Sequence, residues 1–276
     1  MQVNREVTNP LFQYFGGKWL LAPWILSHIP NHRTYVELFG GGGSVLLRKP
    51  RSHNEVYNDL DTEIVNVFRV LRDYPQELLR VLDLTPFSRD EYYLACEPCD
   101  AGNAVERARR AIVRAFFGFG CTAVFNKGRP GFRVGDGTGE RRVSAATTWQ
   151  KYPDALLAIV DRMKGVVVEN RDALEVIPIW DREDAVFYLD PPYLADLRRS
   201  PNIYNCEMTE AQHVALLEVA CKIKGTVLIS GYASDMYDRM LSGWERYEKS
   251  MLAQGTGNSN DSRLRVEVLW VKPALK

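Results

Sequence analysis

The sequence has no excess of either sign of charge, because 35 lysines and arginines balance 35 aspartates and glutamates. A neutral chain has no general attraction for a polyanion, so binding to nucleic acid would require local clusters of basic residues. The sequence also contains no uncharged apolar run near the ~18 residues of a membrane span. Internal repeats and low-complexity tracts are absent as well. We therefore expect neither a membrane partner nor a repeat architecture.

Cysteine and histidine are scarce, with five and four residues respectively. An odd number of cysteines, without an apolar signal segment at the start of the chain, indicates a reducing compartment, and we expect a cytoplasmic protein. Cys96 and Cys99 have the spacing of a metal-ligand pair, but no second pair follows and no histidine completes a plausible set. The sequence therefore predicts no metal site.

The order of the apolar segments indicates an α/β fold. The chain has 276 residues, 46% of them hydrophobic, which is enough for one large domain or about two smaller ones. The strand pattern 34–39 runs into four glycines, 40–43, and then into an apolar helix. A second strand pattern, 55–59, ends on Asp59, nineteen positions after Gly40. A strand, a glycine turn, a helix and an acid about 20 residues on are typical of a nucleotide site, in which the acid binds ribose hydroxyls.

Two other kinds of nucleotide site fit this turn less well. A P-loop requires Gly-Lys-Ser/Thr, whereas these glycines run into Ser44 and Val45. A dinucleotide fingerprint built on Gly41 and Gly43 would require a small residue where Leu46 stands. Since no pyrophosphate-binding turn is needed, the pattern favours an adenosine ligand without phosphates.

A short apolar strand, 186–189, ends abruptly on Asp190, Pro191, Pro192 and Tyr193. The prolines cannot continue a central strand, so they form a fixed, extended corner whose carbonyl groups lack ladder partners. The Asp190 carboxylate and the Pro191 carbonyl can each accept one N–H of an exocyclic amine, which leaves its lone pair free to attack an electrophile. The Tyr193 ring can stack on the heterocycle. The alternative for so short a motif is a structural turn with a packed tyrosine.

Lys18 is a cation in an unusual place. It follows Gly16 and Gly17 and precedes an apolar helical pattern. The start of a helix disfavours a positive charge, because the helix dipole is positive there. This placement indicates that another group compensates the charge, and the alternative is a surface lysine after a glycine turn.

The segment 105–142 is basic in an otherwise neutral chain, with nine basic and three acidic residues. Arg107, Arg110 and Arg114 fall on one face of a predicted helix, which is either a solvated face or a surface that binds DNA. The segment 123–135 then has the pattern of a β-hairpin with basic residues in and after its turn. Such a basic hairpin is suited to phosphates and base edges.

Four ordered motifs resemble those of the Dam-like, or D12 class, DNA adenine N6-methyltransferases. They are 14–18 (YFGGK), 36–44 (VELFGGGGS), 58–59 (ND) and 190–193 (DPPY). The resemblance covers most of residues 12–69 and 164–272. It implies a methyl donor, S-adenosylmethionine, and transfer of the methyl group to N6 of an adenine that is flipped out of duplex DNA.

The resemblance also implies roles for single residues. Its cofactor site comprises Tyr14, Lys18, Glu37, Phe39, Gly41, Gly43, Asp59 and Asp190. In this site Asp59 would bind the ribose and Asp190 would lie near the sulfonium end. Asp172 either caps the helix that follows it or approaches the cofactor adenine, and both readings stay open. Catalysis would depend on Asp190, Pro191 and Tyr193.

We therefore predict a Rossmann-like, S-adenosylmethionine-dependent methyltransferase sheet, formed by residues 1–69 and 165–276. A helical and β-hairpin target-recognition domain would be inserted at 70–164. Its predicted contacts with double-stranded DNA are Arg107, Arg110, Arg114, Asn126, Lys127, Arg129 and Arg133. We expect a monomer or weak dimer that acts in DNA adenine methylation or restriction-modification.

Three alternatives remain for the function of this site. Cytosine N4 presents the same kind of amine, although Asp190 in place of serine favours adenine by analogy with the family. A methylase of protein or RNA amides would lack the basic hairpin and would usually have asparagine at position 190. A catalytically inactive relative that only binds DNA is disfavoured, because Asp190, Pro191 and Tyr193 are all present.

Overall fold

The computed structural model describes residues 6–12, 16–119, 131–133, 145–197, 204–252 and 264–274. Tyr14 and the hairpin residues Asn126, Lys127 and Arg129 lie outside these ranges, so the predictions made for them stay predictions. The described part of the chain forms a seven-stranded sheet with helices on both faces. No helix in these ranges is long and apolar enough to cross a membrane.

The sheet has the strand order β3-β2-β1-β4-β5-β7-β6. Strands β1 to β5 are parallel, whereas β7 is antiparallel to both β5 and β6. The strands are β1 Thr34–Glu37, β2 Asn54–Asn58, β3 Val167–Glu169, β4 Ala185–Leu189, β5 Thr226–Tyr232, β6 Glu245–Leu252 and β7 Leu264–Lys272. The strand order reverses between β1 and β4, and the carboxyl ends of strands at such a switch point are where α/β folds bind ligands.

Ten α-helices are present in the described residues. They are α1 Ala22–Ser27, α2 Ser44–Arg48, α3 Thr62–Asp73, α4 Pro75–Asp83, α5 Arg89–Cys96, α6 Ala104–Phe117, α7 Ala145–Met163, α8 Ala173–Trp180, α9 Glu210–Ala220 and α10 Asp235–Met240. Local signals set several of their starts. Asp61, Ser88, Asn103 and Asp172 each cap a helix with the side-chain oxygen, and Thr209 forms a capping box with Gln212.

The two faces of the sheet bury two separate hydrophobic clusters. Because side chains alternate along a strand, Tyr35 and Tyr188 point to the cluster that contains residues of α1 to α7, whereas Val36 and Phe187 point to the cluster of α8 to α10. All five residues of β4 are buried, as expected for a central strand that is covered on both faces. The prediction of an α/β fold is confirmed.

The helices of the predicted insert, α4 to α7, contribute to the same buried cluster as the sheet and α3. At the base of the predicted hairpin, the Phe119 amide donates to the Gly131 carbonyl over 2.8 Å and the Arg133 amide to the Phe117 carbonyl over 2.7 Å. The division into domains at residues 69 and 165 stays a prediction.

The strand β6 has little signal in the sequence. It forms one edge of the sheet, because β7 lies between β5 and β6. The sequence of β6, ERYEKSML, is mostly polar, so it lacks the apolar signal of a covered strand.

Candidate active site

A pocket opens at the carboxyl ends of β1 and β4 and encloses about 1170 Å³, including space that is open to solvent. This position is the switch point of the sheet. The pocket brings together seven of the predicted site residues: Lys18, Glu37, Phe39, Gly41, Asp59, Asp172 and Asp190. The predicted residues therefore converge although they come from five separate parts of the sequence.

The glycine turn after β1 forms the floor of this pocket. Gly41 and Gly43 have positive φ angles of 48° and 65°, a conformation that side chains disfavour. At Gly40 a Cβ atom would lie 2.1 Å from the ring of Tyr57. The Tyr57 hydroxyl in turn donates to the Gly41 carbonyl over 2.7 Å. The turn thus keeps its backbone close to β2 and leaves the space above it open.

Asp59 follows β2 at the edge of the pocket and links the glycine turn after β1 to the turn that contains Asp61. Its Oδ2 accepts the Gly41 amide over 2.8 Å, and its Oδ1 accepts the Asp61 amide over the same distance. Burial raises the pKa of Asp59 to about 6, against the effect of these two hydrogen bonds. A carboxylate can accept about four hydrogen bonds, so the group retains acceptor capacity for a ligand hydroxyl.

Glu37 ends β1 and is almost completely buried beneath the same turn. Its Oε2 accepts the Tyr35 hydroxyl over 2.7 Å and the Leu46 amide over 2.9 Å. Burial raises the pKa of Glu37 to about 8, because the two hydrogen bonds compensate only part of the loss of solvation. Glu37 thus carries a proton in the free protein near neutral pH.

We expect Glu37 to make the folded state less stable as the pH rises from its ordinary pKa of 4.5 to about 8. In this range the unfolded chain has released the proton that the folded protein retains, so the free energy of unfolding falls with increasing pH. The variant Glu37→Gln should flatten this slope in urea unfolding measured across the range. The exposed Glu218→Gln is the matched control, and an unchanged slope in Glu37→Gln would contradict the assignment.

Asp190 follows β4 and is fixed at both carboxylate oxygens. Lys18 Nζ donates to its Oδ2 over 2.8 Å, and the Ser230 hydroxyl donates to its Oδ1 over the same distance. Ser230 is fully buried in β5, and its hydroxyl also lies 2.9 Å from that of Tyr188. The carboxylate therefore has one orientation, with its remaining acceptor positions available to the pocket.

Lys18 has the compensating groups that its position in the sequence indicated. Its ammonium group is buried, donates to the Gly16 carbonyl over 2.9 Å, and lies 3.5 Å from a carboxylate oxygen of Glu267. Burial alone would lower the pKa of Lys18, but Asp190 and Glu267 raise it above its ordinary value. Lys18 is therefore a permanent cation beside the Asp190 carboxylate.

Tyr193 packs beside Lys18 and Glu267. The Lys18 ammonium lies 4.9 Å from the centre of its ring, and the Tyr232 ring meets it nearly edge-on at 4.6 Å. The Tyr193 hydroxyl donates to Glu267. Burial raises the pKa of Tyr193 well above its ordinary value, so the hydroxyl keeps its proton.

Sequence reasoning missed Ser230, Glu267 and the segment Tyr204 to Met208. The segment lines the pocket, and its Asn205 amide donates to Asp61 over 2.8 Å. A lone carboxylate inside the apolar run 266–271 was a usable signal for Glu267, because buried charges are rare unless they are paired. Nothing local distinguishes Ser230 from other strand serines.

Asp172 caps a helix and lines the pocket. Its Oδ1 accepts the Leu174 amide over 2.8 Å and so caps α8. Asp172 also lines the pocket, and its contact with the cofactor adenine stays a prediction.

The arginines of α6 make contacts inside the chain, and their contact with DNA stays a prediction. Arg107 pairs with Glu63 of α3 at 2.5 Å. Arg110 pairs with Glu106 at 2.7 Å. Arg114 is only 8% exposed and donates to the Ala95 carbonyl over 2.7 Å. The helix was amphipathic in sequence, but its basic side packs against neighbouring helices, which the pattern alone does not reveal.

Cys96 and Cys99 form no disulfide, and Cys96 is buried. In the described ranges no group of three or more histidine, cysteine, aspartate or glutamate side chains is arranged to hold a metal ion.

Comparison with known proteins agrees with this geometry. The family model of the D12 class N6 adenine-specific DNA methyltransferases matches residues 14–252. The chain belongs to this family. The predicted family and enzyme class, an adenine-specific DNA methyltransferase, are therefore confirmed.

Several named methyltransferases are similar to the chain. A DNA adenine methylase of Vibrio cholerae is 24% identical over 243 residues, which cover 84% of each protein. The type II methyltransferase M1.LlaDCHI of Lactococcus lactis subsp. cremoris is 29% identical over 111 residues, 39% of this chain and 38% of that enzyme. Modification methylase StsI of Streptococcus sanguinis is 33% identical over 73 residues, 26% of this chain and 11% of that protein. The chain thus spans most of the first relative and well under two thirds of the other two.

Proposed function

We propose that this protein transfers a methyl group from S-adenosylmethionine to N6 of an adenine flipped out of double-stranded DNA. The observation that carries the proposal is the Asp190 carboxylate, which Lys18 and Ser230 hold in one orientation at the switch point of the sheet. A fixed acceptor beside a pocket that opens to solvent is what an exocyclic amine needs before it can act as a nucleophile.

The pocket fits S-adenosylmethionine as its cofactor. The glycine turn allows close approach of the ligand to the backbone, and Asp59 offers a carboxylate for ribose hydroxyls. In this proposal Asp190 supplies negative charge for a positively charged sulfur, and Asp172, which lines the pocket, contacts the adenine ring. When bound, the cofactor supplies an electrophilic methyl group. The glycine turn after β1 is not followed by the lysine of a P-loop, in agreement with a nucleoside ligand.

The residues at the end of β4 prepare the substrate amine. The Asp190 carboxylate and the Pro191 carbonyl each accept one N–H, which directs the nitrogen lone pair toward the methyl group. Lys18 orients Asp190, since its ammonium lies 2.8 Å from Oδ2. The Tyr193 ring stacks on the base that enters the pocket, because the amine is inaccessible while the base remains in the duplex.

The hairpin 123–135 supplies the contacts with DNA in this proposal. Its base is anchored to the helices, because the Phe132 ring lies 5.2 Å from that of Phe87 and 5.1 Å from the Arg89 guanidinium. Since the α6 arginines are engaged inside the chain, Asn126, Lys127, Arg129 and Arg133 of this hairpin are the proposed DNA contacts. The protein then acts on DNA as a monomer or weak dimer.

Replacing Lys127, Arg129 and Arg133 with alanine should weaken DNA binding and flatten its dependence on salt. Each lost phosphate contact removes ~0.9 from the slope of log K against log salt concentration. The matched control replaces Arg182, Lys222 and Lys224. These three residues are exposed and come shortly before β4 and β5, at the amino ends of these strands. Fluorescence titrations with duplex DNA at several salt concentrations measure the slope. Loss of cofactor binding in calorimetry would instead assign the hairpin to the cofactor site.

The proposed reaction is tested by incubating the purified protein with labelled S-adenosylmethionine and duplex DNA and analysing the nucleosides. N6-methyladenine is the expected product. N4-methylcytosine would establish the alternative amine, and DNA binding without any methylated nucleoside would indicate a catalytically inactive relative. Modified-base sequencing of DNA from cells that express the protein then identifies the recognition sequence and separates a restriction-modification role from general adenine methylation.

A further inference from the structure

Glu267 is a buried carboxylate on β7 that the catalytic motif does not include. It is 6% exposed and lies opposite Tyr232 in the pairing of β5 with β7. Burial raises its pKa, while Lys18 and the Tyr193 hydroxyl act in the opposite direction. A carboxylate in such a position is costly unless it has specific partners.

The partners of Glu267 are two groups at the centre of the site. Glu267 accepts the hydroxyl of Tyr193, and its Oε1 lies 3.5 Å from Lys18 Nζ. The same ammonium lies 2.8 Å from Asp190 Oδ2. Lys18 is thus shared between Glu267 and Asp190. Glu267 also holds the Tyr193 ring, which is proposed to stack on the flipped base.

These contacts fix two orientations at once. The Tyr193 ring is held at its hydroxyl by Glu267 and at its edge and face by Tyr232 and Lys18. Lys18 is held between Glu267 and Asp190, so its position relative to the Asp190 carboxylate depends on both acids. Lys18 and Asp190 line the pocket, whereas Glu267 and Tyr193 do not. The effect of Glu267 on a ligand therefore passes through Lys18 and, in the proposed function, through the Tyr193 ring that stacks on the flipped base.

We propose that Glu267 is a positioning residue, which holds the Tyr193 ring and, through Lys18, the Asp190 carboxylate in the geometry for methyl transfer. This inference rests on the proposed function. Misplacement of reacting groups by about 1 Å costs up to about a hundredfold in rate, so a residue that only orients other residues has a measurable kinetic effect. It should act on the transfer step and leave ligand affinity unchanged.

The test compares Glu267→Met, Glu267→Gln, Tyr193→Phe and the double variant Glu267→Met/Tyr193→Phe. Methionine has a similar shape but carries no charge and only a weakly accepting sulfur, whereas glutamine keeps a carbonyl acceptor for the Tyr193 hydroxyl. Single-turnover transfer of labelled methyl to duplex DNA is measured beside thermal unfolding and separate titrations of S-adenosylmethionine and DNA. The matched control is Glu248→Met, an exposed position on the neighbouring strand β6.

Glu267→Met should lower the single-turnover rate by about tenfold or more, with both dissociation constants unchanged. Glu267→Gln should retain most of the wild-type rate. The double variant should be no slower than Glu267→Met alone, since both changes remove the same contact. A wild-type rate in Glu267→Met, additive losses, or losses that follow cofactor affinity would each overturn the inference. Absence of N6-methyladenine with the wild-type protein would instead refute the proposed function.

Discussion

Replacing Asp190 is expected to reduce methyl transfer by on the order of 10²–10⁴-fold, the range for loss of a positioned acid-base or electrostatic group. Asp190→Ala removes the acceptor, but it also leaves the buried Lys18 with Glu267 at 3.5 Å as its nearest acid. Asp190→Asn is the sharper variant. An asparagine retains one acceptor for Lys18 and places an amide beside Ser230, whose hydroxyl then accepts.

The asparagine variant separates orientation from charge. If orientation of the amine dominates, Asp190→Asn retains part of the activity, whereas it loses nearly all activity if the negative charge dominates. The same strand supplies a matched control, because the exposed Asp184 precedes β4 as Asp190 follows it. Asp184→Asn should transfer methyl groups at the wild-type rate. Single-turnover kinetics, with DNA binding measured separately, decides between these outcomes.

A wild-type rate in Asp190→Ala would assign residues 190–193 to a purely structural corner.

Tyr193 is informative in the same assay. Tyr193→Ala should impair capture of the flipped base, because the stacking ring is lost. Tyr193→Phe keeps the ring but leaves Glu267 without the hydroxyl that it accepts, so the structure predicts a larger effect than stacking alone would give.

Asp59→Ala should raise the dissociation constant of S-adenosylmethionine by ~10–100-fold, equivalent to the ~1.5–3 kcal/mol of a hydrogen bond to a charged group. DNA affinity in the absence of cofactor should be retained. Because Asp59 also accepts the amides of Gly41 and Asp61, thermal unfolding is measured in parallel to separate a ligand contact from a loosened turn.

The pH dependence of cofactor binding isolates the charge of Asp59. With a pKa of about 6, its carboxylate gains a proton as the pH falls from neutral through that value, so cofactor affinity should weaken in the same range. Asp59→Asn should remove this dependence while keeping the size of the side chain. Calorimetric titrations at several pH values measure it. Cofactor affinity that is unchanged in Asp59→Ala would transfer the ribose role to Asp61 or refute the nucleotide site.

The sequence by itself determined the features that depend on neighbouring residues. Strand and helix periods indicated the α/β fold, the four glycines after β1 indicated the turn, and the acid and prolines after β4 indicated the corner at Asp190. Capping by Asp172 and Thr209 was also predictable, because a cap bonds within its own first turn. These signals are local, so no knowledge of the strand order is needed to read them.

The tertiary structure alone decided which distant groups meet. Lys18 and Asp190 are 172 positions apart and form an ion pair because β4 lies beside β1. Glu267 reaches both Lys18 and Tyr193 because β7 pairs with β5 inside the sheet and not at its edge. Arg107 of α6 pairs with Glu63 of α3, and Arg110 pairs with Glu106 on its own helix. A periodic pattern states which face of an element is apolar, but the partner of a buried charge is fixed only when strand order and helix packing bring remote side chains within bonding distance.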